Sequence, residues 1–383
     1  MDFPLTDDQR SLVDAVRRAL ERDHGFERRR ALLADADGCT PAVWPMLAEL
    51  GVLAAAAPAE CDGFGFGIET LFPVAEVLGA ALVLEPWQAA VATAHALRPA
   101  PSTPSTPAVE ALLRAIATGG ARVAIADREP DGGYAPASLG TRATRAGAGR
   151  VLDGDKVAVV GGASADRLLV PAREEDGLAL YLVDATRPGV ALRGYRQFDG
   201  CPAAELSLRR VPVDDSDRLV PPGHGEAALE RLRDSGAALV CAEAVGLMQR
   251  ACDATLEYLK TRRQFGVPLG SFQALQHRLA AMFMSVEQAR SIALLACASV
   301  DDGSDAAARG RAVSAAKVAI GDACRRISQE AVQLHGGMGL AEDMAISHAF
   351  RRLTVMRQEW GSTEYHLERF ARLDDAGATY PPP

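Results

Sequence analysis

The chain lacks the short signatures that most often announce a chemistry. It has no Walker loop, no GxGxxG, no HExxH and no GxSxG. P-loop phosphoryl transfer, a Rossmann dinucleotide site, zincin chemistry and a serine-hydrolase elbow therefore have no support in the sequence. CxxC is missing as well. The seven cysteines (Cys39, Cys61, Cys201, Cys241, Cys252, Cys297 and Cys324) are odd in number and scattered. That argues against a disulfide framework or a zinc site and fits a reduced, cytoplasmic setting. Long apolar runs are missing too: the stretches 53–58 and 292–300 fall far short of the roughly 20 residues that cross a bilayer. Basic charge is in deficit, 41 Lys and Arg against 50 Asp and Glu, a net charge of -9. A general nucleic-acid partner needs a basic face, so none is expected. Met1-Asp2-Phe3-Pro4 has no basic segment leading into an apolar one, and no signal peptide is expected.

The 383 residues, 48% hydrophobic and 24% charged, have ordinary globular composition and can fill two or three domains. Thr6 and Gln9 form a capping box ahead of Leu12, Val13, Val16 and Leu20 at helical spacing. A second helix is predicted over 44–50, with Gly51 as its C-cap. Residues 62–67 alternate Gly and Phe and read as a loop; 69–83 and 108–118 read as helices, with proline-rich punctuation before the latter. After about residue 120 the texture changes to short Val- and Leu-rich runs at 123–126, 156–160, 167–171, 178–183 and 205–211, the pattern of a small β domain. From about 223 it is helical again, in segments 225–262, 271–301, 306–334 and 342–359. The expected division is 1–120 helical, 121–222 β and 223–383 a helical bundle.

Two stretches carry chemistry. The first runs from Tyr258 through Lys260-Thr261-Arg262-Arg263-Gln264-Phe265-Gly266-Val267-Pro268 to Gln273. A helix ends there in basic residues that suit its C-terminal dipole, a turn is built on Gly266, Pro268 and Gly270, and Ser271 is placed to cap the next helix. Alone, this reads equally well as a plain helical corner. The second is Gln333-Leu334-His335-Gly336-Gly337-Met338-Gly339. Glycines closing a long helix bring bare backbone N–H groups close to a ligand, or make a flexible loop.

Together, and in this order along nearly the whole chain, these stretches resemble the acyl-CoA dehydrogenase family. The resemblance implies a mainly α fold: an N-terminal helical domain, a small β-barrel-like domain and a C-terminal four-helix bundle, assembled as a homo- or heterotetramer. It implies FAD as cofactor, an acyl-CoA substrate, and an electron-transfer flavoprotein or similar acceptor. Carried over residue by residue, Arg262 meets the FAD pyrophosphate, where a guanidinium fork suits phosphate oxygens. Phe265 packs by the adenosine and Gln273 stands near the cofactor. Gln333, Gly336 and Gly337 wrap the pyrophosphate and ribose of a neighbouring subunit's FAD, and Ser362 and Glu364 are further cofactor-side residues. The similarity is greatest to the bacterial branch that works on bulky acyl-CoAs, sterol side-chain thioesters among them.

The pattern breaks where the family keeps its catalytic base. Its glutamate precedes a Gly-Thr near the C-terminus; here the segment is Gln358-Glu359-Trp360-Gly361-Ser362-Thr363-Glu364. Counted from Arg351, the base position falls on Trp360, whose backbone N–H remains. Glu359 comes one residue early, about 100° around a helix. The alternative base position, counted back from Gly246, falls on Gly236, two residues from Asp234. Both Glu359 and Asp234 read more naturally as solvated surface charge. In the β segment, the flavin-lining loop corresponds to 126–134, and a Trp-x-Thr is replaced by Ala158-Val159-Val160. Three functions stay open: a complete dehydrogenase with a displaced base such as Glu359, a partner subunit that completes the FAD site while a sister chain supplies the glutamate, and a flavin monooxygenase or oxidase on the same scaffold.

Overall fold

The protein is described from a computed structural model, over residues 6–33, 42–99, 105–147, 149–302 and 305–375; the N-terminal Met1-Asp2-Phe3-Pro4 lies outside this range. It divides into two compact units.

The first unit, 1–17, 68–83 and 237–383, is helical. It contains the start of α1 (Asp7–Asp23), then α4 (Ile68–Ala80), most of α7 (Gly225–Thr261), α8 (Gln273–Asp302), α9 (Ala306–His335), α10 (Ala345–Met356) and α11 (Thr363–Asp375). The capping box forms as expected: Gln9 N donates to Thr6 Oγ1 at 3.2 Å and Thr6 N to Gln9 Oε1 at 2.9 Å. Helices α4 and α7 touch backbone to backbone. A Cβ on Gly246 would lie 1.9 Å from the Glu76 carbonyl oxygen, and one on Gly79 2.0 Å from that of Glu243. The far end of α8 caps α4, since Asp301 accepts the N–H groups of Ile68 and Glu69 at 2.7 and 2.9 Å. Helix α8 packs on α9 and α4. It is also the one helix among the described residues long and apolar enough to cross a membrane by length and composition.

The corner between α7 and α8 is tighter than the sequence suggests. Arg263–Gln264 (β9) and Val267–Pro268 (β10) form a minimal hairpin. Ser271 does not cap α8. It sits in a 3-10 turn and its Oγ donates to the Pro268 carbonyl at 2.7 Å, so the turn consumes the hydroxyl two residues before the helix starts.

The second unit, 18–67 and 84–236, holds α2 (Phe26–Leu33), α3 (Val43–Glu49), α5 (Trp87–Ala96), α6 (Pro107–Ala117) and an eight-stranded sheet. The strands are β1 (Val123–Ile125), β2 (Arg142–Ala146), β3 (Gly149–Val160), β4 (Arg167–Glu174), β5 (Gly177–Asp184), β6 (Val190–Arg196), β7 (Pro202–Val213) and β8 (Arg218–Val220). Their order is β6-β7-β3-β2-β4-β5-β8, with β1 parallel to β4. Leu152, Leu168, Val170, Tyr181, Leu206 and Leu208 fill its core. Helix α3 ends as expected, with Gly51 at φ 75 just beyond it.

The loop at 126–134 is tied down by the chain's own charges. Asp127 pairs with Arg233 at 2.5 Å, and Arg233 also donates to the Asp127 carbonyl at 3.0 Å and to that of Tyr134. Glu129 accepts from Lys156 Nζ at 2.7 Å, Thr141 Oγ1 at 2.6 Å and Gly140 N at 2.6 Å. Burial alone would raise the Glu129 carboxyl, but the Lys156 charge and these hydrogen bonds outweigh it and hold the group down at about 2. Lys156, fully buried, is itself pushed down by burial in spite of the pair.

Candidate functional site

Helices α7, α8 and α9 bring the two motifs together at one end of the bundle. Arg262 N donates to the Tyr258 carbonyl at 2.8 Å as α7 ends, and the Arg262 carbonyl accepts from Leu269 N at 2.8 Å, which closes the corner. The Arg262 side chain is exposed, and its guanidinium has no carboxylate partner among the described residues. Phe265 sits in the left-handed region at φ 54, 89% exposed, with its ring edge-on to Phe272 at 6.0 Å. Gln273, exposed, opens α8. The rings of Tyr258 and His335 stack at 4.4 Å, and the Tyr258 hydroxyl donates to the His335 carbonyl at 3.2 Å. That contact, with Arg278 on Glu330 at 2.6 Å, holds the corner against the last turns of α9. Gln333 is exposed on that last turn, and its carbonyl accepts the N–H of Gly336.

Gly336, at φ 62 and ψ -147, has a backbone that only glycine adopts readily. A Cβ on Gly336 or Gly337 would have nothing within 4 Å. The glycines are exposed and leave open space beside their backbone rather than relieve a clash in the fold. Gly339 differs, since its Cβ would lie 2.7 Å from the Val332 carbonyl oxygen.

Of the remaining candidates, the 359–364 segment lies elsewhere on the same unit, and Ala158, Val160 and Asp234 belong to the second unit. Glu359 and Trp360 follow the end of α10 in a turn, so the 100° helical offset between them does not apply. Glu359 is not solvated. It is 7% exposed and takes Arg352 Nη1 at 2.7 Å on Oε1, while Arg352 Nη2 also reaches Glu243 at 2.8 Å. The sequence reading missed this triad. Arg352 stands only seven residues before Glu359, but Glu243 is 109 residues away in the chain. Asp234 is not solvated either, at 0% exposed, and beside it Ser235 Oγ bonds His95 Nδ1 at 2.8 Å and donates to the Arg231 carbonyl at 2.9 Å. Of the flanking residues, Ala158 adopts φ 50 where a register shift breaks the β3–β7 pairing, and Val160 ends β3.

Trp360 is half-buried in the left-handed region, at φ 58. Ser362 caps α11, accepting from Tyr365 N at 3.2 Å, and the exposed Glu364 falls in the first turn. The Glu364 carboxyl is lowered by its own backbone N–H and by Ser362. Gly321 lets this end of α11 come against α9, since a Cβ there would lie 2.3 Å from Thr363 Oγ1. Three polar atoms between Arg357 and Thr363, namely Arg357 Nε, Glu359 Oε2 and Thr363 Oγ1, are buried without a hydrogen-bond partner among the described residues. Gly321 is 14 residues before His335 on α9, about 21 Å at ~1.5 Å per residue. One chain thus carries two separated groups: the Arg262–Gln273 corner with the glycine loop, and the 359–364 segment.

Models of known families match in two places: "Acyl-CoA dehydrogenase, N-terminal domain" over residues 6–98 and "Acyl-CoA dehydrogenase, C-terminal domain" over 223–373. The chain belongs to the acyl-CoA dehydrogenase family. A probable acyl-CoA dehydrogenase, fadE25 of Mycobacterium bovis, is 31% identical over 261 residues, 66% of this chain and 67% of that protein. The ChsE4-ChsE5 complex from Mycobacterium tuberculosis superposes with a TM-score of 0.89 at 27% identity, covering 99% of this chain and 100% of that one. A variant of the Tcur3481-Tcur3483 steroid ACAD does so with a TM-score of 0.88 at 28% identity, covering 98% and 100%. As a member of the acyl-CoA dehydrogenase family the protein is an oxidoreductase acting on CH–CH donors, with FAD as cofactor. The residues present fit that cofactor: an exposed guanidinium, an exposed aromatic and open space beside Gly336 and Gly337.

Proposed function

We propose that this chain is the acyl-CoA dehydrogenase subunit that completes an FAD site without supplying the catalytic carboxylate. A sister chain would contribute the glutamate in a heterotetramer acting on a bulky, steroid-like acyl-CoA. One observation carries the reading. Glu359, the carboxylate next to the base position, is bound to Arg352 at 2.7 Å, and Trp360 occupies that position itself. Both groups of site residues would serve FAD, with Arg262, Phe265, Gln273, Gln333, Gly336 and Gly337 turned toward a neighbour's cofactor. The distance along α9 supports this, since the second group, with Ser362 and Glu364, would then face the chain's own.

When bound, FAD supplies the acceptor for the hydride leaving the β-carbon. The chain's own part is to bind and orient. Arg262 neutralises pyrophosphate charge. The Trp360 N–H lies where the family's base residue donates to the thioester carbonyl, so that carbonyl can still be polarised. The Trp360 ring narrows the acyl cavity and works against a straight chain there. Electrons would pass to an electron-transfer flavoprotein in the cytoplasm. The division into 1–120, 121–222 and 223–383 belongs to the same reading.

The test is anaerobic bleaching of bound flavin by steroid and straight-chain acyl-CoAs, for the chain alone and co-expressed with a homologous chain that keeps the glutamate. Bleaching only with the sister chain is expected. General-base catalysis contributes about 10²–10⁴-fold in rate, so the lone chain should be slower by at least that range. Fast bleaching by the lone chain that Glu359→Gln abolishes would overturn the proposal in favour of a displaced base.

A further inference from the structure

We infer that Lys317 and His366 are positioning residues for Trp360, fixing the peptide units around it so that its N–H meets an acyl thioester at a set place. The inference rests on the reading that Trp360 takes the family's base position, and it concerns residues that neither motif contains.

Lys317 lies in the middle of α9 and is 2% exposed. Its Nζ donates to two carbonyls on the Trp360 segment, Met356 O at 3.0 Å and Glu359 O at 2.6 Å. These are the last carbonyl of α10 and the carbonyl of the peptide whose N–H belongs to Trp360. Burial pushes the Lys317 ammonium down from its usual range, as expected for a cation removed from water. Burying a charge is costly, and two carbonyl acceptors with the nearby Glu359 charge only roughly offset that cost. As a stability device this lysine has little value. What it does is fix where those two carbonyls sit, and the second of them fixes the direction of the Trp360 N–H.

The far side of Trp360 is held as well. His366 Nε2 bonds the Trp360 carbonyl at 3.0 Å, and its Nδ1 bonds Ser314 Oγ at 3.2 Å. Burial, with the Lys317 charge behind it, pushes the His366 ring down to about 3, so the ring is neutral and has a single N–H. A carbonyl can only accept, so that N–H is on Nε2, and Nδ1 accepts from the Ser314 hydroxyl. Ser314 and Lys317 are three residues apart on α9 and share a face. One face of α9 thus governs the peptides on both sides of Trp360, directly through Lys317 and indirectly through His366.

The restraint is needed because Trp360 is in the left-handed region, at φ 58, which a bulky residue takes only when its surroundings impose it. Gly361 follows at φ 117, and a Cβ there would lie 2.4 Å from His366 Nε2. The partnerless Arg357 Nε, Glu359 Oε2 and Thr363 Oγ1 flank the same turn. A segment held this firmly that still leaves polar atoms unused is built to receive a ligand rather than to complete the core.

The experiment uses the FAD-loaded protein, with its sister chain if one is required, and a thioester labelled with ¹³C at the carbonyl: a steroid-carboxylate CoA, with octanoyl-CoA beside it. Infrared difference spectra read the carbonyl stretch, which moves to lower frequency when an N–H polarises it. The parent should show a displaced band. Lys317→Met and His366→Leu should lose most of the displacement and bind roughly tenfold more weakly, the loss of about one hydrogen bond. His366→Gln keeps an N–H donor and should restore the band. If Lys317→Met fails to take up flavin, the His366→Leu and His366→Gln pair decides. Variants that fold, bind and share the parent's band would overturn this inference alone. A parent that binds no thioester would overturn the proposed function and this inference with it.

Discussion

Arg352 is the counter-charge for two buried carboxylates, and its removal tests that arrangement most directly. Arg352 Nη1 lies 2.7 Å from Glu359 and Nη2 2.8 Å from Glu243, with all three side chains at most 7% exposed. Arg352→Met keeps most of the volume but takes the guanidinium away from two buried carboxylates. Breaking a buried pair from one side costs about 3–5 kcal/mol. At roughly 2–4 °C per kcal/mol for a chain of this size, the melting temperature should fall by roughly 6–20 °C. Glu359→Gln is a much milder change. It leaves Arg352 with Glu243 and loses only the charge assistance of one bond, about 1–2 kcal/mol. In a Glu243→Gln, Glu359→Gln background, Arg352→Met should become cheap, a coupling above about 2 kcal/mol. Calorimetry at pH 7 under saturating FAD reads the parent and all four variants, because bound cofactor shifts the transition. The reasoning fails if Arg352→Met costs under about 1 kcal/mol, or if its cost is the same in both backgrounds.

Flavin titration should find Arg262→Ala weaker by roughly tenfold to a hundredfold, the value of one charge-assisted phosphate contact; equal affinity would remove Arg262 from the site. Gly337→Ala meets no atom within 4 Å, so it should leave the thermal stability of the protein without cofactor unchanged and still weaken FAD; a lowered melting temperature would reveal a structural glycine instead. Glu129, held at about 2 against an ordinary 4.5, stabilises the fold above the unfolded value and loses that contribution as pH falls from about 4.5 toward 2. The stability gap between parent and Glu129→Gln should be about 3 kcal/mol near neutrality and shrink through that window, whereas a gap that ignores pH would refute the pairing. Gly246→Ala places a Cβ 1.9 Å from the Glu76 carbonyl oxygen and should cost several kcal/mol or prevent soluble expression; a variant that melts with the parent would contradict the α4–α7 contact.

How much was legible in the sequence depended on whether the signal was local. The Thr6–Gln9 box lies within four residues and forms as read. The two motifs were legible because their residue types are unusual together, although only the structure shows how they meet, through the Tyr258–His335 stack and the Tyr258 hydroxyl bond. Helix α5 escaped because all its residues are buried, and a helix covered on every side has no apolar stripe. Strands β2 and β6 are rich in Arg and exposed positions and lack the β-branched run that marks a strand. Glu359 and Asp234 were read as surface charge because carboxylates usually are; what buries them lies elsewhere in the chain. Lys317 did leave a trace, a single cation inside Val313-Ser314-Ala315-Ala316-Lys317-Val318-Ala319-Ile320. A charge alone in an apolar helix usually has a specific partner.

The separation of the two site groups along α9 has a genetic consequence. If each cofactor is completed by the corner of one chain and the 359–364 segment of another, damage at the two places need not accumulate. In the proposed heterotetramer a change at Arg262 falls on the site that the sister chain's own segment faces, and a change at Trp360 falls on the site that this chain faces. A lesion in this gene and one in the sister gene that fall on the same site leave the other site whole, whereas lesions on different sites damage both. The pairs of alleles, one from each gene, that tolerate each other would then draw the boundary of the shared site without a bound ligand in view.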